Sequence, residues 1–377
     1  MFSEMLLAAW SGAGLIWWVM AWRLVAMTDR QEGVSGESPA RRSISVFKPL
    51  PPLGAGGLQA EAAGVESFIS QLDDEAELLL GVHEADRASV EPFVERMRRE
   101  YPHARIEVIH RSKPDDMANP KIAWQRLLAP QARGDLWLWS DAEIVAPAGF
   151  LRSARLDFER GGAAMVTFPY AVRAIPSPQA LLDALFINVE FYPGVLLLRK
   201  LGPVDFGLGA GMLFSRSEFE RCVDWKELGC SLADDFVLGQ KLKPVQIGRS
   251  VLTAQIHEAG WKSAILHHLR WNKTVCWNRP VGFAARILVL PLTGWLIYLM
   301  LHPVQPIAWA AFLGMMELDV FFAAALCRRL DCPLKAHHLW AMQLWSLWRI
   351  FVWIGCWLPW PVNWRGQLWW KPRWTSC

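Results

Sequence analysis

The sequence predicts an α/β domain on a parallel sheet, with apolar helices at both ends of the chain. Three observations predict it. Strand-like runs alternate with helical stretches from residue 44 onward, the pattern of parallel strands joined by crossover helices. Residues 5–22 and 287–316 carry no formal charge. The 377 residues include 23 tryptophans, and tryptophan favours the membrane–water interface.

The N-terminal run, 5–22, is long enough to cross a bilayer. Only Glu4 precedes it and no basic region does, so it reads as an uncleaved anchor rather than a signal peptide. Arg23, Arg30, Arg41 and Arg42 follow, which places the next part of the chain in the cytoplasm. Residues 28–42 are polar and rich in Gly, Ser and Arg, as in a linker. Residues 44–47 alternate like a strand and run into Lys48-Pro49-Leu50, with a Pro/Gly loop at 51–57. A helix at 58–72, a buried strand at 77–83, a helix at 88–101, a strand at 105–109 and a helix at 122–128 come next. Strands are then expected at 136–140 and 163–168. In such sheets ligands bind beyond the carboxyl ends of the strands, where Glu84, Asp86, Asp141 and Glu143 all fall.

The run Leu136-Trp137-Leu138-Trp139-Ser140-Asp141-Ala142-Glu143 ends in two acids at i and i+2. Strand alternation puts them on one face. Two carboxylates there suit a hard divalent cation that takes phosphate oxygens for the rest of its shell; an isolated pair equally suits a solvated turn. Residues 181–198 are apolar and broken by Pro193, either core or a surface that dips into the bilayer. Gly207, Gly209 and Gly211 permit close backbone approach, but no Gly-Lys-Ser/Thr follows, so this is no phosphate-binding P-loop. Residues 219–228 read as a helix. Asp234 and Asp235 open another, where one acid can serve as a cap and a second is in excess of that need. The basic cluster His267-His268-Leu269-Arg270-Trp271 by itself reads as a surface turn.

Two C-terminal membrane segments are expected at 281–301 and 307–326, joined by a tight turn at His302-Pro303-Val304-Gln305-Pro306. Glu317 and Asp319 are expensive in lipid and must face protein, water or the interface. Arg328, Arg329 and Lys335 mark a second cytoplasmic loop. Residues 339–360, rich in Trp and containing Arg349, read as interfacial or re-entrant, because a full span would place the basic tail outside. The resulting plan is an anchor at 1–27, a linker at 28–42, a cytoplasmic catalytic domain at 43–280, membrane segments at 281–361 and a basic tail at 362–377. A formal charge of only +3 gives no polyanion signal, so no nucleic-acid partner is expected. Seven scattered cysteines without a Cys-x-x-Cys pair argue against a zinc site or a disulfide framework and for reduced thiols.

Taken in order, Glu84 with Asp86, Asp141 with Glu143, Asp234 with Asp235, and Arg270-Trp271 resemble a known pattern. It is the D, DxD, D, (Q/R)xxRW series of the processive-type and lipid-acceptor glycosyltransferases of the GT-A (nucleotide-diphospho-sugar transferase, Rossmann-like) fold. The chain looks most like the ceramide glucosyltransferases and their hopanoid-associated bacterial relatives. The matching pieces are Val46-Phe47-Lys48-Pro49-Leu50, Gly81-Val82-His83, Asn119-Pro120-Lys121, Ser140-Asp141-Ala142-Glu143, Phe191-Tyr192-Pro193-Gly194, Asp205-Phe206-Gly207-Leu208-Gly209-Ala210, Ala233-Asp234-Asp235-Phe236-Val237-Leu238-Gly239 and Leu269-Arg270-Trp271. They span about 44–271.

The resemblance implies a role for each position. Glu84 and Asp86 line the nucleotide pocket, together with Lys48 and Pro49. Asp141 and Glu143 hold Mg2+ or Mn2+ on the diphosphate of a UDP-sugar, and Lys121 helps hold the phosphates. Asp235, beside Asp234, is the base for the acceptor hydroxyl. Arg270 and Trp271 lie by the diphosphate and acceptor. The implied protein is a hexosyltransferase in a bacterial inner membrane that passes a sugar, glucose first, to a ceramide-like membrane lipid. A hopanoid N-acetylglucosaminyltransferase, a processive polysaccharide synthase and an inactive membrane scaffold are the alternatives. The sequence departs from the pattern at Glu84, Arg87, Glu143 and His267, the last standing where Gln or Arg is usual. These departures bear on the donor and acceptor more than on the fold.

Overall fold

The computed structural model describes residues 2–28, 42–53, 58–59, 61–112, 117–256, 260–364 and 366–372. Most of the expected linker, part of the 51–57 loop and the end of the basic tail lie outside the described residues. Contacts divide the chain into two compact units. One comprises Met1–Arg30, Val172–Leu197 and Ile256–Trp364; the other comprises Gln31–Ala171, Leu198–Gln255 and Arg365–Cys377. The block expected at 43–280 is therefore shared, and its segments 172–197 and 256–280 group with the apolar helices.

Two sheets of the α/β unit use ten of the described strands: β1 (Ile44–Pro49), β2 (Ala76–His83), β3 (Arg105–Arg111), β4 (Leu136–Trp139), β5 (Ile144–Val145), β6 (Met165–Thr167), β7 (Tyr170–Ala171), β8 (Met212–Ser215), β9 (Val245–Ile247) and β10 (Leu252–Ala254). Seven form one sheet in the order β3-β2-β1-β4-β8-β6-β9. β1 pairs in parallel with β2 and β4, and β2 with β3. β8, however, runs antiparallel to both β4 and β6. The sheet is thus mixed, not purely parallel. β8 is four residues long and directly follows the glycine-rich loop, too short to show an alternation of its own. A second sheet, β5-β10-β7, lies just past the acid pair.

β4 owes its central position to four consecutive buried residues, Leu136 to Trp139, as a strand covered on both faces requires. Trp137 and Trp139 pack with Phe47, Phe214, Phe219 and Trp225, the Trp139 and Trp225 rings stacking at 5.8 Å. Part of the tryptophan excess therefore fills an α/β core and not a membrane interface. The helix expected at 219–228 is two, Arg216–Cys222 and Trp225–Gly229. Val223 is extended, and the Asp224 carboxylate accepts from the Lys226 amide to start the second, as an N-cap does.

The other unit carries the apolar helices, and among the described residues three are long and apolar enough to cross a membrane: Met5–Thr28, Leu181–Leu201, whose last turn passes into the α/β unit, and Pro306–Arg329. Pro193 does not break the second. A π-helical segment, Phe186–Phe191, precedes it, and such widened turns re-route the carbonyls that a proline cannot satisfy. The span expected at 281–301 is not straight. Pro280–Val289 and Pro291–Leu301 meet at a 67° bend, with Leu290 held out of the helical region ahead of Pro291. The Trp-rich helix Ala336–Gly355 is not among the candidate spans.

Three acids of this apolar unit have polar partners. Buried Asp319 takes the Arg349 guanidinium and a 2.6 Å hydrogen bond from Ser346 Oγ. Glu190 pairs with Arg286 and lies 3.8 Å from Arg349. Exposed Glu317 accepts from Gln343 at 2.7 Å. Cys222, Cys276, Cys327, Cys332 and Cys356 are free thiols. Cys230 is held in a disulfide, which corrects the expectation of thiols only.

Candidate active site

The site forms where β4 ends. Asp141 and Glu143 sit on the turn between β4 and β5, and Lys48 at the end of β1 fixes that turn from below. Its side chain is fully buried, and Nζ donates to the Asp141 and Ile144 carbonyls at 2.7 and 2.8 Å. It also stands 4.3 Å from the centre of the Phe68 ring. Burial pulls Lys48 down to about 7, although Glu143 and Asp141 favour its charge. The Lys48 ammonium is thus occupied with backbone oxygens, while Pro49 closes β1 opposite Gly81. Gly64 lets the helix Ala62–Ile69 approach the same turn: a Cβ there would stand 2.2 Å from the Ala142 carbonyl oxygen.

Lys121 opens the other wall, at the start of the helix Pro120–Leu128. Asn119 caps that helix by accepting from the Lys121 and Ile122 amides at 3.0 and 3.2 Å. Its Nδ2 donates to the Ser231 carbonyl at 2.9 Å and to Asp234 Oδ1 at 3.2 Å. One side chain thereby ties the first turn of this helix to the first turn of Asp234–Lys241. Lys121 Nζ then lies 2.5 Å from Asp141 Oδ1 and 3.5 Å from Asp234 Oδ2.

Asp235 accepts from the Gly209 amide at 3.2 Å and from the Phe236 amide at 2.8 Å. The loop carrying Gly209 is fixed by Ser140 Oγ donating to the Ala210 carbonyl at 2.8 Å, and by the Leu208 amide donating to Thr167 Oγ1 at 2.7 Å. A Cβ on Gly209 would stand 3.2 Å from Asp141 Oδ2, 3.4 Å from Lys121 Nζ and 3.7 Å from Asp235 Oδ2. Three of the expected site side chains thus converge over a residue without a side chain.

The electrostatics follow from this crowding. Burial, then the Asp141 charge, raise the Glu143 carboxyl above its usual range. Burial and then Asp234 raise Asp235 to about 6, against the pull of Lys121. Burial opposes charge on Lys121, but Asp141 and Asp234 outweigh it and hold the ammonium above its ordinary value. Acids exceed bases here, as in a site built for a further cation. Among the described residues no group of three or more His, Cys, Asp or Glu side chains could hold a metal by itself. Two carboxylates with a lysine cation already against one of them fit the hard-cation pattern, in which substrate phosphates complete the shell.

The remaining expected residues fall elsewhere. Glu84 and Asp86 lie on a short helical turn after β2. Glu84 is exposed and pairs with Arg87 at 3.6 Å, while Asp86 accepts from the Leu53 amide at 3.1 Å. Arg270 and Trp271 lie on the helix Trp261–Asn278 in the other compact unit, where Trp271 packs on His267 with ring centres 4.5 Å apart. Asn119 was given no role from sequence, though Asn followed by Pro is a recognisable helix start.

A family model described as glycosyl transferase family 21 matches residues 8–371. The chain belongs to that family. This family 21 enzyme is a nucleotide-sugar glycosyltransferase with a GT-A-like fold on a mixed sheet. PcManGT, a mannosyltransferase from Pyrobaculum calidifontis solved in complex with GDP-Man and Mn2+, is 14% identical with a TM-score of 0.50. That match covers 92% of this chain and 98% of the other. GalNAc-T7, solved with UDP, GalNAc and Mn2+, is 15% identical with a TM-score of 0.41, covering 65% of this chain and 51% of its own. TarS from S. aureus, solved with UDP-GlcNAc, is 11% identical with a TM-score of 0.36, covering 86% and 95%. At these identities the likeness to PcManGT speaks for the fold alone. No curated protein sequence matches significantly.

Proposed function

We propose that the family 21 enzyme moves a sugar, glucose first, from a UDP-sugar to the hydroxyl of a ceramide-like membrane lipid, with inversion at the anomeric carbon. The observation that carries this reading is the convergence of Asp141, Lys121 and Asp235 over Gly209. A carboxylate able to accept a proton lies there within reach of a cationic, diphosphate-binding wall. Asp235 takes the proton from the acceptor hydroxyl as that oxygen bonds to the anomeric carbon and the bond to the diphosphate breaks. An alcohol nucleophile needs a carboxylate in this role.

Lys121 steadies the phosphate oxygens of the leaving group, and Asp234 positions Lys121 through their ion pair. Asp141 and Glu143 would hold Mg2+ or Mn2+. When bound, that cation supplies Lewis-acid stabilisation of the departing diphosphate. PcManGT was solved with GDP-Man and Mn2+, which supports the assignment. Lys48 acts through the turn it anchors. Glu84 and Asp86 face the nucleoside. The roles of Arg270 and Trp271 rest on the Arg-Trp element of the resemblance, with Arg270 offsetting leaving-group charge. The candidate spans support a lipid acceptor and an inner-membrane setting with the α/β unit in the cytoplasm.

The test is purified enzyme in lipid with Mn2+, ceramide or a polar hopanoid, and UDP-glucose, UDP-galactose or UDP-N-acetylglucosamine. A glycolipid formed from ceramide supports the proposal. Transfer of N-acetylglucosamine to the hopanoid alone selects the runner-up, and a product that lengthens with time selects a polysaccharide synthase. No product from any pair contradicts glycolipid synthesis.

A further inference from the structure

Lys121 stands between two acids of its own compact unit and is bonded to one of them. Its Nζ lies 2.5 Å from Asp141 Oδ1, on the expected metal turn, and 3.5 Å from Asp234 Oδ2. Asp234 is 7% exposed, and its Oδ2 is a buried acceptor without a hydrogen bond among the described residues. Such an oxygen is costly to leave unmet. A hydrogen bond from an ammonium to a carboxylate is about 2.7–2.9 Å long, so Nζ has less than about 1 Å to close to make one.

Asn119 prepares both positions. It is fully buried, and its Oδ1 accepts from the Lys121 amide at 3.0 Å, which fixes the backbone from which the lysine extends. Its Nδ2 donates to Asp234 Oδ1 at 3.2 Å. That engages one oxygen of Asp234 and leaves the other to Lys121. Gly209 keeps the ammonium uncrowded on a further side, where a Cβ would stand 3.4 Å from Nζ. The lysine therefore has one seat in use and a second in reach, on a fixed anchor. A divalent cation needs the Asp141 oxygen that Lys121 holds, and two cations on one carboxylate repel each other. A nucleoside diphosphate changes that balance. It offers anionic oxygens to the ammonium and completes the shell of the metal.

We propose that Lys121 is a stand-in cation for the metal site: it holds Asp141 until a nucleoside diphosphate arrives, then turns to Asp234 Oδ2 and the phosphates and releases Asp141 to the divalent cation. The inference rests on the functional reading given above and deepens it, because it makes metal binding depend on the nucleotide. Only ion pairs are exchanged, and the ammonium keeps its protons throughout. At no stage is Asp141 left buried without a cation, which would be costly.

The experiment is Mn2+ binding to purified full-length enzyme in detergent, with and without UDP, read from the electron paramagnetic resonance signal of free Mn2+. Lys121→Met retains a side chain of similar length and removes the charge. Without UDP the variant is expected to bind Mn2+ at least about fivefold more tightly than the wild type, the lower end of the coupling between two sites. It is expected to gain correspondingly less from UDP. Equal or weaker binding by the variant without UDP overturns the proposal. A structure of the wild-type enzyme with UDP and Mn2+ decides the matter even if the variant does not fold. Lys121 Nζ is expected within hydrogen-bond distance of Asp234 Oδ2 and clear of Asp141, and an ammonium still on Asp141 Oδ1 overturns the proposal. A wild type that binds no Mn2+ even with UDP overturns the metal assignment and this inference with it.

Discussion

Two clusters of buried charge, one in each compact unit, show what a balanced and an unbalanced arrangement are for. In the apolar unit, Glu190 and Asp319 meet Arg286 and Arg349: two acids, two bases. In the α/β unit, Asp141, Glu143, Asp234 and Asp235 meet Lys48 and Lys121 among the described residues. Charge in a low-dielectric setting is costly unless neutralised. The first cluster matches acid with base and links the helices that carry them. The second is left with an excess of acid, which a metal ion and a hydroxyl proton can satisfy during the reaction. On the proposed function, balanced pairing marks structure here and the excess of acid marks chemistry.

The comparison can be broken by substitution. Asp141→Asn removes excess acid from the site. It is expected to lower kcat by about 10²–10³-fold, the scale of losing one preorganised electrostatic group, while the unfolding midpoint holds or rises. A loss of stability on that scale would show that the acid is structural. In the balanced cluster the signs reverse. Asp319→Asn leaves buried Arg349 only the more distant Glu190, at 3.8 Å, and is expected to cost about 3–5 kcal/mol of stability. Replacing the pair together, Asp319→Leu with Arg349→Met, is expected to recover most of it. Denaturation in detergent reads both.

Two smaller effects sharpen the contrast. Gly209→Ala puts a methyl group 3.2 Å from Asp141 Oδ2 and 3.7 Å from Asp235 Oδ2. It is expected to cost about tenfold in kcat/KM, or about 1.4 kcal/mol, with little change in melting. Asp235, raised to about 6 by burial and Asp234, is a working base only when ionised. The rate is therefore expected to level off above about pH 6 and to fall about tenfold per unit below it. A pH–rate profile flat down to pH 4.5 would remove Asp235 from that role.

What could be read in the sequence was local. β4 and its acid pair, the two acids opening Asp234–Lys241, and the N-terminal apolar helix all follow from short-range pattern. The rest depends on contacts between distant residues. Nothing near Lys48 says that its ammonium is taken by carbonyls of Asp141 and Ile144. Nothing near Asn119 says that it reaches Asp234, 115 residues away. β8 is only four residues long and directly follows the glycine-rich loop, so no local alternation marks it. Pro193 suggested a break that the π-helical segment absorbs. Tryptophan count alone could not separate Trp137 and Trp139 in an α/β core from the tryptophans of the apolar helices.

The most direct test of the central claim is mass spectrometry of lipids from a host expressing the chain, set against the Asp235→Asn variant at equal protein level. The account predicts a hexosylated lipid, ceramide-based when ceramide is supplied, in the wild type and its loss in the variant. The same glycolipid in equal amount from both would contradict it.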